Sequence, residues 1–148
     1  MSEQESQQRA AVVREAESWL GTPYHHRAWI KGAGVDCAML LKQSFVNAGL
    51  VEDFEVGNYP PDWMLHRGEE IFLGIVTRYC REVPAPTGPG DIMLCRVARL
   101  YAHGCLIVAW PRVIHAFRDS RAVVYADALP GGSLMRSRPR FFSYWGRA

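Results

Sequence analysis

A segment dense in proline and glycine divides this 148-residue chain into two halves with different hydrophobic periodicity. It runs from Val83 to Gly90 and reads VPAPTGPG, a composition that interrupts regular helices and strands. Before the segment, apolar residues recur at helical spacing, and after it they form short runs typical of strands. Helices followed by antiparallel strands indicate an α+β fold.

Three helices are predicted in the first half from apolar stripes at a spacing of three and four residues. Glycines follow the first two, as is common at helix C-termini, and residues 1–8 form a polar extension before the first. Asp62 is expected to cap the third helix. The predicted ranges are Ala10 to Leu20, Cys37 to Ala48 and Trp63 to Tyr79.

Five short strands are predicted in the second half, separated by turn residues. We expect one domain over residues 1–148, with the second helix packed against one face of an antiparallel sheet. The predicted strands are Asp91 to Arg96, His103 to Ala109, Arg112 to Phe117, Ala122 to Ala126 and Arg140 to Trp145.

Cys37 stands where a glycine-containing loop meets the second helix. The first-turn N–H groups and the positive end of the helix dipole stabilise negative charge on sulfur, which lowers the pKa of a thiol there. The sequence therefore predicts a thiolate nucleophile at Cys37.

Two histidines, His103 and His115, lie on consecutive predicted strands. A hairpin centred on Ala109 would make them direct cross-strand neighbours on one face of the sheet, with Cβ atoms about 5 Å apart. In that register His103 takes the thiol proton of Cys37 and His115 orients His103 from behind. A register slip of one residue would place the two rings on opposite faces.

The composition excludes several classes of protein. With 17 basic and 15 acidic residues, the chain gives no electrostatic reason to expect nucleic-acid binding. The acidic, polar N-terminus lacks the apolar core of a secretory signal, and no later run is long enough to span a membrane, so we expect a protein made in the cytoplasm. Four cysteines without a CxxC pair predict reduced thiols.

Six short motifs occur in a characteristic order: WLGTPY at 19–24, DC at 36–37, YPPDW at 59–63, PGDI at 89–92, AHGCLI at 102–107 and IHA at 114–116. Their order and spacing resemble the NlpC-type cell-wall peptidase family, a group of papain-like cysteine peptidases. More narrowly, it is the addition of YPPDW and PGDI to the other four motifs that makes the chain resemble the branch found among bacteriophage tail proteins and gene transfer agents.

The resemblance implies a papain-like fold and hydrolysis of the peptidoglycan stem peptide, usually between γ-D-glutamate and the diamino acid. Position by position, Cys37 matches the nucleophile, His103 the general base and His115 the polar residue that orients it. Tyr24 matches a tyrosine that lines the substrate cleft, and Asp36 matches an acidic residue that helps to bind the free amine of the stem peptide. No metal or organic cofactor is expected.

The narrower resemblance implies a protein made in a bacterial host and built into a virion tail tip with other tail-tip or baseplate proteins. It would open the cell wall from the periplasm during DNA entry, without membrane insertion. One departure concerns the substrate: Ala38 and Met39 follow Cys37, where many family members carry Ser-Gly and its hydroxyl.

Two alternatives belong to other classes. A zinc site could use His103, Cys105 and His115 with Cys37 as the fourth ligand, although structural zinc sites favour close-set ligand pairs at turns. A structural tail-tip subunit could keep the fold with a hydrolase site that is vestigial or occluded until infection.

Overall fold

Among the described residues, the three longest helices precede the proline- and glycine-rich segment and five of the six strands of the main sheet follow its start, as predicted. The computed structural model describes residues 1–56, 71–97 and 100–146. No helix in these ranges is long and apolar enough to cross a bilayer. The elements in them are α1 (Glu3–Glu17), β1 (Trp29–Ile30), β2 (Gly34–Val35), α2 (Cys37–Asn47), α3 (Ile71–Tyr79), β3 (Arg81–Val83), β4 (Ile92–Val97), β5 (Leu100–Ala109), β6 (Arg112–Phe117), β7 (Ala122–Asp127), α4 (Ser133–Arg136) and β8 (Arg140–Ser143).

The main sheet has six antiparallel strands in the order β3-β8-β4-β5-β6-β7. Strand β6 has the predicted bounds, and the other four predicted strands lie within three residues of theirs. Neither β3 nor the two-stranded β1–β2 hairpin was predicted, because two or three residues are too few to show an alternating pattern. The predicted α+β class is confirmed.

Helix α1 begins at Glu3, well before the predicted start near Ala10, so residues 3–8 are helical. The Ser2 side chain caps it by accepting the N–H of Glu5 at 3.0 Å. Arg9 is buried on this helix and donates to the carboxylate of Asp91 at 3.0 Å. Residues 3–8 are all polar and Arg9 is charged, so this part of the helix carries no apolar stripe and hydrophobic periodicity places the start too late.

The start of the third predicted helix at Trp63, its cap at Asp62 and the YPPDW motif lie outside the described residues. The described part, α3, ends at the predicted Tyr79.

Helix α2 packs on β5 and β6, as expected, and Gly104 on β5 makes the close approach possible. A Cβ atom at Gly104 would lie 2.6 Å from Cζ of Phe72 and 2.7 Å from Cδ1 of Leu41. The helix layer and this sheet face enclose the main core, while a smaller core covers the opposite face. The smaller core contains Val83, Met93, Cys95, Cys105, Ile107, Val113, Ala128 and Phe141.

Candidate active site

Asp36 fixes the start of α2 and thereby the position of Cys37. Its Oδ1 accepts the N–H of Met39 at 2.9 Å, the standard N-cap interaction, and its Oδ2 accepts the N–H of Arg27 at 2.7 Å. The carboxylate is buried. Cys37 is consequently the first residue of the helix, at the position the sequence predicts.

The Cys37 thiol is bonded to the backbone of β5 and to the start of its own helix. Its Sγ donates to the carbonyl oxygen of Ala102 at 3.8 Å, and the N–H groups of Gly104, Ala38 and Cys37 point towards the sulfur. Burial and then the charge of Asp36 raise the pKa of Cys37, and the three N–H donors lower it. The raising effects are larger, and the pKa of the thiol is about 12. The expectation of a lowered thiol pKa is wrong for this state, because desolvation outweighs the helix N-terminus.

The two predicted histidines are in direct contact. Nε2 of His103 lies 2.8 Å from Nδ1 of His115, with ring centroids 5.0 Å apart. The predicted register is wrong: Leu106 pairs with Ile114 and Ile107 with Val113, so the strands are shifted by two residues. A shift of two keeps both rings on one face, and they meet diagonally across the strands.

Strand alternation places this imidazole pair on the face opposite to α2. Leu106 and Ile114 belong to the core beneath the helices, whereas Cys105 and Val113 belong to the smaller core. Convergence of Cys37 and the two histidines on one cleft, which a proton transfer between them requires, stays a prediction; the charge of Cys37 reaches Cys105 beside the imidazole pair. Cys37 reaches the backbone on both sides of His103, and its hydrogen bonds within the described ranges go to main-chain groups rather than to an imidazole.

Both imidazoles are held in the neutral form. Phe117 stacks on His115 with centroids 4.8 Å apart and rings 6° from parallel, and it also contacts His103. Desolvation lowers the pKa of His115 to about 4. Desolvation, followed by the neighbouring His115, lowers the pKa of His103 to about 3. Near neutral pH both rings offer one lone pair and one N–H, which a general base and its orienting partner require.

Two further thiols lie on the same face as the histidines. Cys105 Sγ lies 3.5 Å from Nδ1 of His115 and is hydrogen-bonded to the thiol of Cys95. Strand pairing sets Cys95 directly opposite His103. Both cysteines are buried and carry free thiols.

Tyr24 lies beside the nucleophile candidate. Its backbone N–H donates to the carbonyl oxygen of Arg121. Its backbone also forms an isolated β-bridge with Val35, the residue before Asp36. Burial, then the charges of Cys37 and Asp36, raise the pKa of its phenol, and a hydrogen bond from Arg118 lowers it. The structure thus brings Tyr24, Asp36 and Cys37 together, while their roles and those of His103 and His115 stay predictions.

Two neighbours of the site were not predicted from the sequence. Phe117 follows His115 by two residues, so strand alternation predicts that both side chains share one face. Arg118 gave no signal, because its bond to Tyr24 joins segments far apart in the chain.

The groups that could hold a metal differ from those weighed from the sequence. In the described ranges, one ligand atom from each of His103, Cys105 and His115 lies within 4.8 Å of the others, and Cys37 is not part of that set.

The same arrangement of elements occurs in solved structures. The NlpC/p60 domain of the peptidoglycan hydrolase SagA is 17% identical over 90% of this chain and 96% of that one, with a TM-score of 0.59. The peptidoglycan hydrolase RipB of Mycobacterium tuberculosis is 18% identical over 99% of this chain and 70% of that one, with a TM-score of 0.64. The chain has the NlpC/p60 fold. The P60 domain of an antigen from M. avium subspecies paratuberculosis gives 15% identity and a TM-score of 0.59, covering 96% and 98%. No protein-family model and no curated protein matches the sequence.

Proposed function

We propose that the protein is a cysteine endopeptidase that cuts peptidoglycan stem peptides. The observation that carries the proposal is the imidazole pair His103–His115 at 2.8 Å, with His103 on the strand whose backbone contacts Cys37 at the start of α2. This combination of a thiol at a helix N-terminus, a base and an orienting group suits acyl transfer. The NlpC/p60 fold, shared with peptidoglycan hydrolases, supports the same substrate class.

In the proposed reaction, Sγ of Cys37 attacks the scissile carbonyl carbon and its proton passes to Nδ1 of His103. His115 accepts the Nε2–H of His103, which leaves Nδ1 free as the base. The oxyanion forms next to the N–H groups of Cys37 and Ala38, which already point towards the sulfur. Protonated His103 then gives its proton to the leaving amine, and water hydrolyses the thioester and restores the thiol.

The thiol has to leave the carbonyl of Ala102 before it can transfer its proton to His103. Because the thiol and both imidazoles are neutral, attack and proton transfer occur together, without a preformed ion pair. Substrate binding beside Tyr24 is the step that would rotate the Cys37 side chain away from the carbonyl of Ala102.

We propose that the enzyme cuts the bond between γ-D-glutamate and the diamino acid. We also propose that it is part of a phage tail tip and acts on the cell wall from the periplasm. Both details rest on the sequence resemblance, and the position of Tyr24 and Asp36 next to Cys37 agrees with recognition of the stem peptide there.

Mass spectrometry of stem peptides after incubation with the purified protein tests the reaction, with Cys37→Ala as control. Cleavage by the wild type alone establishes the reaction and the nucleophile, and the product masses identify the bond. Equal cleavage by both proteins would contradict the role of Cys37. Detection of the chain in purified tail particles would test its location, and its absence from them would exclude the tail-tip role.

A second candidate, a structural tail-tip subunit with a shut site, is favoured by one observation. The Cys37 thiol is engaged by Ala102, and burial together with Asp36 raises its pKa to about 12. A site occluded only by partners predicts cleavage by the isolated protein and none by the assembled tail. A vestigial site predicts no cleavage by either.

A further inference from the structure

The imidazole pair and the Cys105 thiol form a compact donor set that the proposed reaction uses only in part. The reaction needs His103 and His115, whereas Cys105 is fully buried and has no part in it. Its sulfur nevertheless lies 3.5 Å from the nitrogen of His115 that contacts His103. A thiol and two imidazoles converging on one point are the ligand types that zinc prefers.

The distances are close to those around a tetrahedral ion. Zinc bonds of about 2.05 Å to nitrogen and 2.3 Å to sulfur give tetrahedron edges of about 3.3 Å between two nitrogens and about 3.6 Å between nitrogen and sulfur. The observed sulfur-to-nitrogen distance is 3.5 Å, and the distance between the two nitrogens is 2.8 Å. An ion would therefore need the two imidazole nitrogens to separate by about half an ångström, and the ligand atoms, which all lie within 4.8 Å of one another, to settle at nitrogen-to-sulfur edges of about 3.6 Å.

The surroundings also suit a bound ion. The Cys95 thiol is hydrogen-bonded to Cys105 and lies where it can donate to that sulfur once a metal ion has displaced the Cys105 proton. Phe117 stacks on His115 and limits its movement. Since His103 is partly exposed while Cys105 and His115 are buried, solvent reaches the set past His103.

We infer that Zn²⁺ binds at His103, Cys105 and His115 and shuts off the peptidase. The ion takes Nε2 of His103, Nδ1 of His115 and Sγ of Cys105, a water completes the tetrahedron, and the Cys105 proton is released to solvent. The inhibitory part of this inference rests on the proposed function. Zinc on Nε2 leaves the ring proton of His103 on Nδ1, the nitrogen that has to accept the proton of Cys37.

Metal binding is tested first, independently of activity. The reduced protein is freed of metal with a chelator and titrated with Co²⁺, which reports thiolate ligation by a charge-transfer band. We expect one Co²⁺ per chain with that band, and Zn²⁺ should displace the ion and bleach the spectrum. Absence of the band in the folded wild type would overturn the inference.

Three variants assign the sulfur ligand. Cys105→Ser should lose the band, whereas Cys95→Ser, which retains a donor towards Cys105, and Cys37→Ala should keep it. A band that persists in Cys105→Ser would contradict the assignment. If Cys105→Ser fails to fold in thermal melts, His115→Gln replaces it and should weaken Co²⁺ binding at least tenfold, because it removes a ligand.

Inhibition is tested by measuring stem-peptide cleavage with chelator and with Zn²⁺. Zn²⁺ should reduce the wild-type rate at least tenfold, and this ratio should fall towards one in Cys105→Ser. Equal cleavage with the ion bound would overturn the inhibitory role while leaving the metal site intact. A protein that binds Co²⁺ as described but cleaves nothing without metal would contradict the proposed function instead.

Discussion

Nε2 of His103 and Nδ1 of His115 lie 2.8 Å apart, although the two residues do not face each other directly across β5 and β6. The register that pairs Leu106 with Ile114, continued by one residue, sets Cys105 opposite His115. The imidazoles therefore meet on a diagonal, and Cys105 lies close enough to contact His115. The diagonal contact makes the pair a candidate base and orienting group and also adds a thiol beside it.

His115 is expected to act through His103 as a positioning residue. His115→Ala should lower kcat about a hundredfold with KM nearly unchanged, because His103 loses the acceptor that holds its ring. His115→Asn offers a carbonyl oxygen in place of Nδ1 and should restore part of the rate. Steady-state kinetics on a stem peptide measure both, and identical rates for the two variants would argue against an orienting role.

The stability of the metal-free protein should fall in mild acid. Desolvation lowers the pKa of His103 to about 3 and that of His115 to about 4, whereas an unfolded histidine titrates at about 6.5. Below that pH the unfolded chain binds protons that the folded chain does not, so the free energy of unfolding decreases as pH falls towards 4.

Urea unfolding between about pH 7 and about pH 4.5 measures this decrease. The double variant His103→Gln/His115→Gln removes both titrating groups and should show a smaller loss over the same interval. An equal loss in wild type and variant would place the acid-sensitive groups elsewhere.

Alkylation of Cys37 should be slow near neutral pH, since only the thiolate reacts and its pKa is raised to about 12 by burial and by Asp36. Asp36→Asn removes the charge but keeps a good N-cap residue, so the pKa of Cys37 should fall and alkylation at about pH 8 should become several-fold faster. The rate measured on Cys37→Ala gives the background from the other cysteines. Unchanged reactivity in Asp36→Asn would show that burial alone sets the pKa.

Two glycine substitutions should have opposite effects on stability. Gly104→Ala forces a Cβ atom against Phe72 and Leu41 and should lower the free energy of unfolding by about 1–3 kcal/mol. Gly74→Ala lies on the exposed side of α3 with no atom within 4 Å, and should raise it by about 0.5–1 kcal/mol. Chemical denaturation compares the two, and destabilisation by both would mean that the space around Gly104 is not the cause.

Local patterns in the sequence determined the α+β class, the strand positions and the start of α2 at Cys37. Each depends on neighbouring residues: alternation defines β6, and an aspartate before an apolar stripe defines the N-cap at Asp36. Strand alternation also predicts that His103 and His115 share a face, because their separation of twelve residues survives a shift of two in register.

Only the tertiary structure decided which register forms, which sheet face carries the histidines and how the thiol is solvated. The register depends on where β5 and β6 turn and on how their side chains pack in the two cores. The pKa of Cys37 depends on how completely the site is removed from water, and that burial comes from segments far apart in the chain. A helix N-terminus is visible in a sequence, but the desolvation that opposes it exists only after the chain has folded.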